Sequence, residues 1–446
     1  MAQGAIGPRA SRLAILSWCL YDFANSPFTT LVVTFIYSVY FASVIVPADY
    51  VPGGEDAAAA WGTAVWGWAI NGTAVLVALV TPVLGAIADR TRARKRMLAL
   101  SMVACVGLTT ALAFPTKGYV WVAWWLFMAA NLFYEVANVF YNALLPSLGP
   151  KERLGRISGY GWALGYMGGL LPMVIALGMI GRLPGQETPW VTAEAGWNVR
   201  GTNLLVAGWF VIFSIPLLLF VPEPVLADPR RAGGRWTDGF VELARTFQQV
   251  RRYRHTFRFL VARILYNDAL VTIFAMAGLY ARVTFDMEFG EIMLLGIWLN
   301  VVAGTGAFAL GFLDDYIGGK RTILLTLVLL LASVVGAFFA RTQIEFWFAA
   351  TLLGAMVGPN QSSSRALMGR FVPPNKEGEF FGFFAFSGKA TNWLGVFAFS
   401  WVTYLTGQQR PAVLTVAGFL LLGLVLLLFV DEAEGKRQAE IEPTAS

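Results

Sequence analysis

The sequence predicts an all-α membrane protein with twelve transmembrane helices in two pseudo-symmetric six-helix halves. Three observations carry that prediction. The 446 residues are 57% hydrophobic and 13% charged, about half the charged share of an ordinary soluble domain (~25%). Apolar stretches of bilayer-spanning length, about 20 residues, recur from one end to the other. Short motifs in the first half of the chain return in the same order in the second half.

The stretches fall at 13–45, 61–87, 97–115, 120–146, 157–181, 202–221, 257–281, 290–313, 322–340, 344–370, 380–406 and 411–430. The first contains "LYDFANSPFTT". From Leu13 to Val46 a straight helix would measure roughly 50 Å, against a hydrocarbon core of ~30 Å. Pro27, preceded by Asn25 and Ser26, therefore predicts a kink or a break, and freed carbonyls are tolerated only against protein or a wet cavity. Trp18, Asp22, Asn25, Ser26 and Thr29 fall on one side. They read as the lining of a substrate or proton site near the midplane, or Asp22 as a brace to a neighbouring helix.

The second stretch runs into "GAIADRTRARKRM", which begins at Gly85. The third carries no charge in its core. In the fourth, Asn131, Glu135, Asn138 and Asn142 step by four, three and four, so they form one polar stripe. Tyr134 and Tyr141 lie beside it. The fifth contains "GYGWALG", and the sixth carries no charge in its core. Residues 223–255 then read as a cytoplasmic linker, rich in Pro and Gly at its start. Within it Phe240, Leu243, Phe247 and Val250 share a helical face, with Arg245, Arg251, Arg252 and Arg254 elsewhere. This predicts an amphipathic helix at the membrane surface, or else a solvated connector.

The seventh stretch holds Arg263 and "LYND", which includes Tyr266 and Asp268. The eighth runs into "GFLDDYIGGKRTI" from Gly311. The ninth and twelfth are apolar. The tenth carries "GPNQSSSR", where Gly358-Pro359 loosens the backbone and Gln361 and Arg365 share a face. On the eleventh, Lys389 and Asn392 share a face. Ionisable residues at the bilayer centre cost at least ~2.5–3.5 kcal/mol each, so they turn away from lipid. Three acids (Asp22, Glu135, Asp268) and three bases (Arg263, Arg365, Lys389) are buried in this way. Pairs of Glu135 or Asp22 with Lys389 or Arg365 are expected, and the sequence leaves the choice between them open.

Alternate loops carry 24 of the 33 basic residues, and the intervening loops carry six. That bias places both termini in the cytoplasm. No cleaved leader is expected at the N-terminus. Cys19 and Cys105 form no metal or redox motif, and His255 is the sole histidine. Neither a disulfide framework nor a histidine-based catalytic centre can be assembled, so no enzyme, cofactor or metal is expected. The positive charges lie between helices and imply no nucleic acid.

The two loop motifs align. Asp89 and Asp315 each follow their glycine by four residues, and Arg94–Lys95 and Lys320–Arg321 follow it by nine and ten. Arg90 has its place beside Asp89. "LYD" is matched by "LYND", and "GYGWALG" by "GFFAFSG" from Gly382. A duplication follows, with halves at 1–222 and 256–431 and a cytoplasmic tail at 432–446. This arrangement resembles the major facilitator superfamily, above all in "GAIADRTRARKR". In that reading Asp89 meets a helix N-terminus or a base across the halves and braces one conformation.

"LYDFANSPF", "YNALLPSL", "GYGWALGYMGGLL", "LYND" and "SRALMGRFVPPNKEGEFFGFFAFSGKATNWLG" are more specific. They resemble the vacuole effluxer-like branch, which is related to fungal autophagy-linked amino-acid exporters. Pro27 departs from the small residue expected there. The resemblance implies a bacterial inner-membrane, monomeric secondary transporter that exports amino acids by alternating access. Protons are a candidate coupling ion, and Asp22, Glu135 and Asp268 are candidate carriers. Helices one, four, seven and ten would line the cavity. A translocator of lipids or other amphiphiles with the same fold is the alternative.

Overall fold

The computed structural model describes residues 10–91, 93–183, 185–223 and 253–440. The expected amphipathic linker helix falls outside the described residues. Helices overlie all twelve apolar stretches. They are α1 (Arg12–Ile45), α2 (Gly54–Thr91), α3 (Arg94–Ala111), α4 (Val120–Ala143), α5 (Leu154–Ile180) and α6 (Thr202–Phe220). After the linker come α7 (Arg254–Phe285), α8 (Phe289–Ile317), α9 (Gly319–Phe339) and α10 (Gln343–Phe371). The eleventh stretch is divided into α11 (Glu377–Ser387) and α12 (Asn392–Thr406), followed by α13 (Gln409–Leu428) and a terminal α14 (Glu432–Glu440).

Nine of the described helices are long and apolar enough to cross a bilayer. Those over 97–115, 344–370 and 380–406 are not among them. α3 opens on the consecutive bases Arg94, Lys95 and Arg96, α10 carries the polar run from Asn360 to Arg365, and the third is divided in two.

α1 begins at Ser11, whose Oγ accepts the Ala14 N–H at 3.1 Å. Pro27 neither breaks nor ends it. From Phe28 to Phe35 the chain continues as a wider π-helix, and the Ile36 N–H reaches the Leu31 carbonyl five residues back. The Phe23 carbonyl, which the proline leaves without a donor, accepts the Trp209 Nε1–H at 3.2 Å. Thr30 Oγ1 donates to the Ser26 carbonyl at 3.0 Å, satisfying another freed acceptor.

The buried apolar side chains form two clusters. One is drawn from residues 14–221 with Ala366, and the other from 253–430 with Val139 and Ala143. Between these sets, α5 packs on α8 and α2 packs on α11. Both contacts are close because small residues face each other. A Cβ on Gly85 would lie 2.1 Å from the Gly378 carbonyl oxygen, so only glycine fits.

Candidate substrate cavity

A cavity of about 410 Å³ lies between the two clusters. Its walls come from α1, α4, α5, α7, α8, α10 and the α11–α12 break, and none from α3, α6, α9 or α13. Of the residues expected there, Asp22, Asn25, Ser26, Glu135, Asn138, Asn142, Gln361, Arg365, Lys389 and Asn392 all line it. Asn131 lines instead a second cavity of about 520 Å³, which shares Thr29, Glu135, Val271, Lys389 and Asn392 with the first. The second cavity has an apolar wall of Val33, Ile70, Trp393, Val396 and Phe397.

Two ion pairs resolve the choice the sequence left open. Arg365 Nη1 donates to Asp22 Oδ2 at 2.9 Å, and Lys389 Nζ lies 2.7 Å from Glu135 Oε1. Arg365 is deeply engaged. Its Nε donates to Ser158 Oγ at 2.9 Å and its Nη2 to the Ser158 carbonyl at 2.8 Å. Its guanidinium lies 4.8 Å from the ring centroid of Trp18, which is itself stacked on Tyr141. A Cβ on Gly161 would fall 2.5 Å from Asp22 Oδ2, so the glycine in "GYGWALG" is what lets α5 approach this pair. Neighbouring polar groups extend the network, with Asn25 Nδ2 donating to Asn138 Oδ1 at 3.0 Å.

The second pair is more open. The Lys389 and Glu135 side chains are 31% and 16% exposed, against 5% and 15% for Arg365 and Asp22. Lys389 sits in the four-residue break between α11 and α12, Gly388 to Thr391. α7 holds both sides of that break. Arg263 Nη1 donates to the Phe384 carbonyl at 2.9 Å, at the C-terminal end of α11. Asp268 Oδ2 accepts the Gly395 N–H at 3.0 Å, in the first turn of α12. Each charge thus faces the helix end of opposite partial charge. Asn267 Nδ2 donates to the Gly388 carbonyl at 3.1 Å.

Tyr266 and Asp268 were expected on the cavity, and the structure places them off it. Tyr266 is fully buried and its hydroxyl pairs with Ser364 Oγ at 2.8 Å. Asp268 is turned toward α12, because a broken helix offers free N–H groups that a continuous one would not. Arg263, read from the sequence as a buried base, lines the cavity, as do Asn267, Asn300 and Trp162, which sequence reasoning passed over. It also passed over Ser158, which anchors Arg365. Arg263 carried one signal, that of a base inside an apolar stretch. Asn267 stands inside "LYND" beside Asp268, while Asn300, Trp162 and Ser158 sit among apolar or glycine neighbours that mark no face.

The loop motifs join residues 10–223 to residues 253–440 at one end of the helices. Asp89 accepts the Gly378 and Glu379 N–H groups, both at 2.9 Å, at the start of α11. Asp315 accepts the Gly155 N–H at 2.9 Å and the Arg156 N–H at 3.3 Å, at the start of α5. Arg94 joins Asp89 at 2.5 Å and also pairs with Glu377. Lys95 Nζ donates to the Val221 carbonyl at 2.6 Å, while its N–H meets Glu223 Oε1 at 3.2 Å. Lys320 repeats both contacts, with the Leu428 carbonyl at 3.0 Å and Glu432 Oε2 at 2.9 Å. Arg90 lies in the last turn of α2, and Arg321 is exposed. Among the described residues, the opposite end has no polar contact between 10–223 and 253–440.

A profile described as "Vacuole effluxer Atg22 like" matches residues 69–440. The chain is 30% identical over 421 residues to YxiO of Bacillus subtilis (strain 168), described as an uncharacterized MFS-type transporter, covering 93% of this chain and 94% of that one. It is 26% identical over 348 residues to autophagy-related protein 22 of Yarrowia lipolytica, covering 71% of this chain but 57% of that one. The major facilitator proton:xylose symporter XylE superposes with a TM-score of 0.70 at 16% identity, over 95% of this chain and 96% of XylE. FucP in its outward conformation gives 0.69 at 13% identity, over 94% and 100%.

Proposed function

The chain belongs to the Atg22-like vacuole effluxer family, an integral, multi-pass, major facilitator branch of membrane transporters rather than enzymes, and from this premise we propose that it exports amino acids by proton-coupled alternating access. The observation that carries the reading is the Glu135–Lys389 pair. It joins residues 10–223 to residues 253–440, it is partly exposed, and it belongs to the walls of both cavities. A proton on Glu135, or the ammonium group of a bound solute, removes the charge that holds Lys389. The tie across the cavity is then broken at the moment of loading. Asp22–Arg365 is the more buried tie and acts as the pivot.

In this reading the chain has twelve spans in two six-helix halves, with 223–255 as linker and 432–446 as tail. Both termini lie in the cytoplasm, the site of most basic residues. The Asp89 and Asp315 contacts then seal the cytoplasmic end, and the cavity opens to the other side. The protein works as a monomer in a bacterial inner membrane.

The test is flux in proteoliposomes loaded with mixed labelled amino acids under an imposed pH gradient. Gradient-driven flux in the parent and its loss in Glu135→Gln is the expected result. Equal pH-driven flux in both would sink the coupling role. Absence of any amino-acid flux would remove the substrate. A second reading, transfer of lipid-like amphiphiles, is favoured by Trp393 and Phe397, which stand 57% and 54% exposed beside the second cavity. Transfer of a labelled lysolipid that survives Glu135→Gln would favour it.

A further inference from the structure

Ion pairing around the cavity leaves one cation without a carboxylate. Asp22 neutralises Arg365 and Glu135 neutralises Lys389. Asp268, the third acid, is spent on the Gly395 N–H and faces α12. Arg263 has no carboxylate within ion-pair distance among the described residues. It is 6% exposed and lines the cavity. Its Nη1 is committed to the Phe384 carbonyl and to Ser387 Oγ at 2.8 Å, and the guanidinium lies 3.7 Å from the Phe384 ring centroid. Its Nε has no partner. A helix C-terminus and an aromatic face offset part of a full charge. A buried guanidinium without an anion, one donor of its fork unused, is nonetheless costly.

We propose that Arg263 is the anion subsite of the cavity, taking a carboxylate group of the transported solute on the donors its Nη1 contacts leave free. This rests on the reading of the cavity as a small-solute site. A carboxylate suits the guanidinium, because hydrogen bonds between ionised partners are the strong ones. Asn267 and Gln361 line the same wall, joined by a 3.3 Å contact from Gln361 Nε2 to Asn267 Oδ1. Their amides give the carboxylate polar company. The two ends of a zwitterion then have separate anchors, Arg263 for the carboxylate and Glu135 for the ammonium.

The experiment measures thermal stabilisation of the purified full-length protein by sodium propionate, propylammonium chloride and sodium chloride at matched ionic strength. Propionate is expected to raise the unfolding temperature saturably, and chloride is not. The apparent propionate affinity is expected to fall at least about tenfold in Arg263→Gln. Arg263→Lys keeps a cation against the Phe384 carbonyl and serves where the glutamine variant does not fold. Weakened propionate binding is expected there too. No propionate response in the parent overturns the proposal. So does equal stabilisation by chloride, or unchanged affinity in the Arg263 variants. Propionate binding through Arg263 without any amino-acid flux would keep the subsite and discard amino-acid export. Flux with propionate binding independent of Arg263 would do the reverse.

Discussion

Asp22 and Arg365 stand 343 residues apart in the chain and 2.9 Å apart in space. The pair ties α1 to α10, and Ser158 on α5 holds the same guanidinium. Breaking a buried pair by removing one partner typically costs about 3–5 kcal/mol, because the other charge is left stranded. Asp22→Asn is therefore expected to lower stability by that order. Asp22→Leu combined with Arg365→Met should recover much of it. A double-mutant cycle of thermal or denaturant unfolding in detergent checks this; additive losses would show that the two side chains act independently.

The Glu135–Lys389 tie invites a charge swap. Glu135→Lys alone sets two cations together at the cavity, and Lys389→Glu alone sets two anions. Each should reduce stability and abolish flux. The double reversal restores attraction and is expected to restore folding. It should leave transport impaired, because Lys389 comes from the α11–α12 break and Glu135 from a regular helix. Flux recovered to the parent level would show that only the attraction matters.

Closure at the Asp89 end depends on helix contact without side chains between. Gly85→Ala puts a methyl group where the Gly378 carbonyl stands, so α2 and α11 must part. The expected effect is a shift toward the form open at that end. Lys151 and Glu440 report on it, since their side chains meet at 2.9 Å across the seal. A short bifunctional thiol cross-linker between Lys151→Cys and Glu440→Cys should react readily in the parent background and less in Gly85→Ala. The natural Cys19 and Cys105 are buried and add little background. Equal cross-linking in both would mean the contact is slack.

α14 docks through Glu432, which accepts the Lys320 N–H and pairs with Lys436 at 2.8 Å. Burial pushes its carboxyl upward. The Lys436 contact, the Lys320 N–H and the Arg370 charge together outweigh that and hold it below the ordinary value of 4.5. A depressed folded-state value means docking is stabilised above that ordinary value and weakened as pH falls below it. Limited proteolysis of α14 should therefore speed up in acid in the parent. Glu432→Gln should lose that pH dependence.

The fold was legible because its signals are periodic. Asn131, Glu135, Asn138 and Asn142 announce one helix face by their spacing, and three of them reach the first cavity. Gly85-to-Asp89 and Gly311-to-Asp315 announce a repeat by identical offsets. The division of the eleventh stretch was not legible. Nothing in Gly388–Lys389–Ala390–Thr391 forbids a helix as proline would. The break is held by Arg263 and Asp268, which lie more than 120 residues earlier in the chain. For the same reason Asp268 looked like a cavity acid. Its true partner, the Gly395 N–H, becomes available only once the helix is interrupted. Which acid meets which base was likewise a matter of tertiary distance.

The sealing contacts run crosswise. Asp89 on α2 holds the start of α11, and Asp315 on α8 holds the start of α5. An aspartate within 10–223 grips a helix start within 253–440, and an aspartate within 253–440 grips a helix start within 10–223. That reciprocity is the mark of an isologous interface between two copies of one subunit. Each of the two stretches therefore carries both the grip and the place gripped, so loosening one contact leaves the other to hold the same pair of surfaces together.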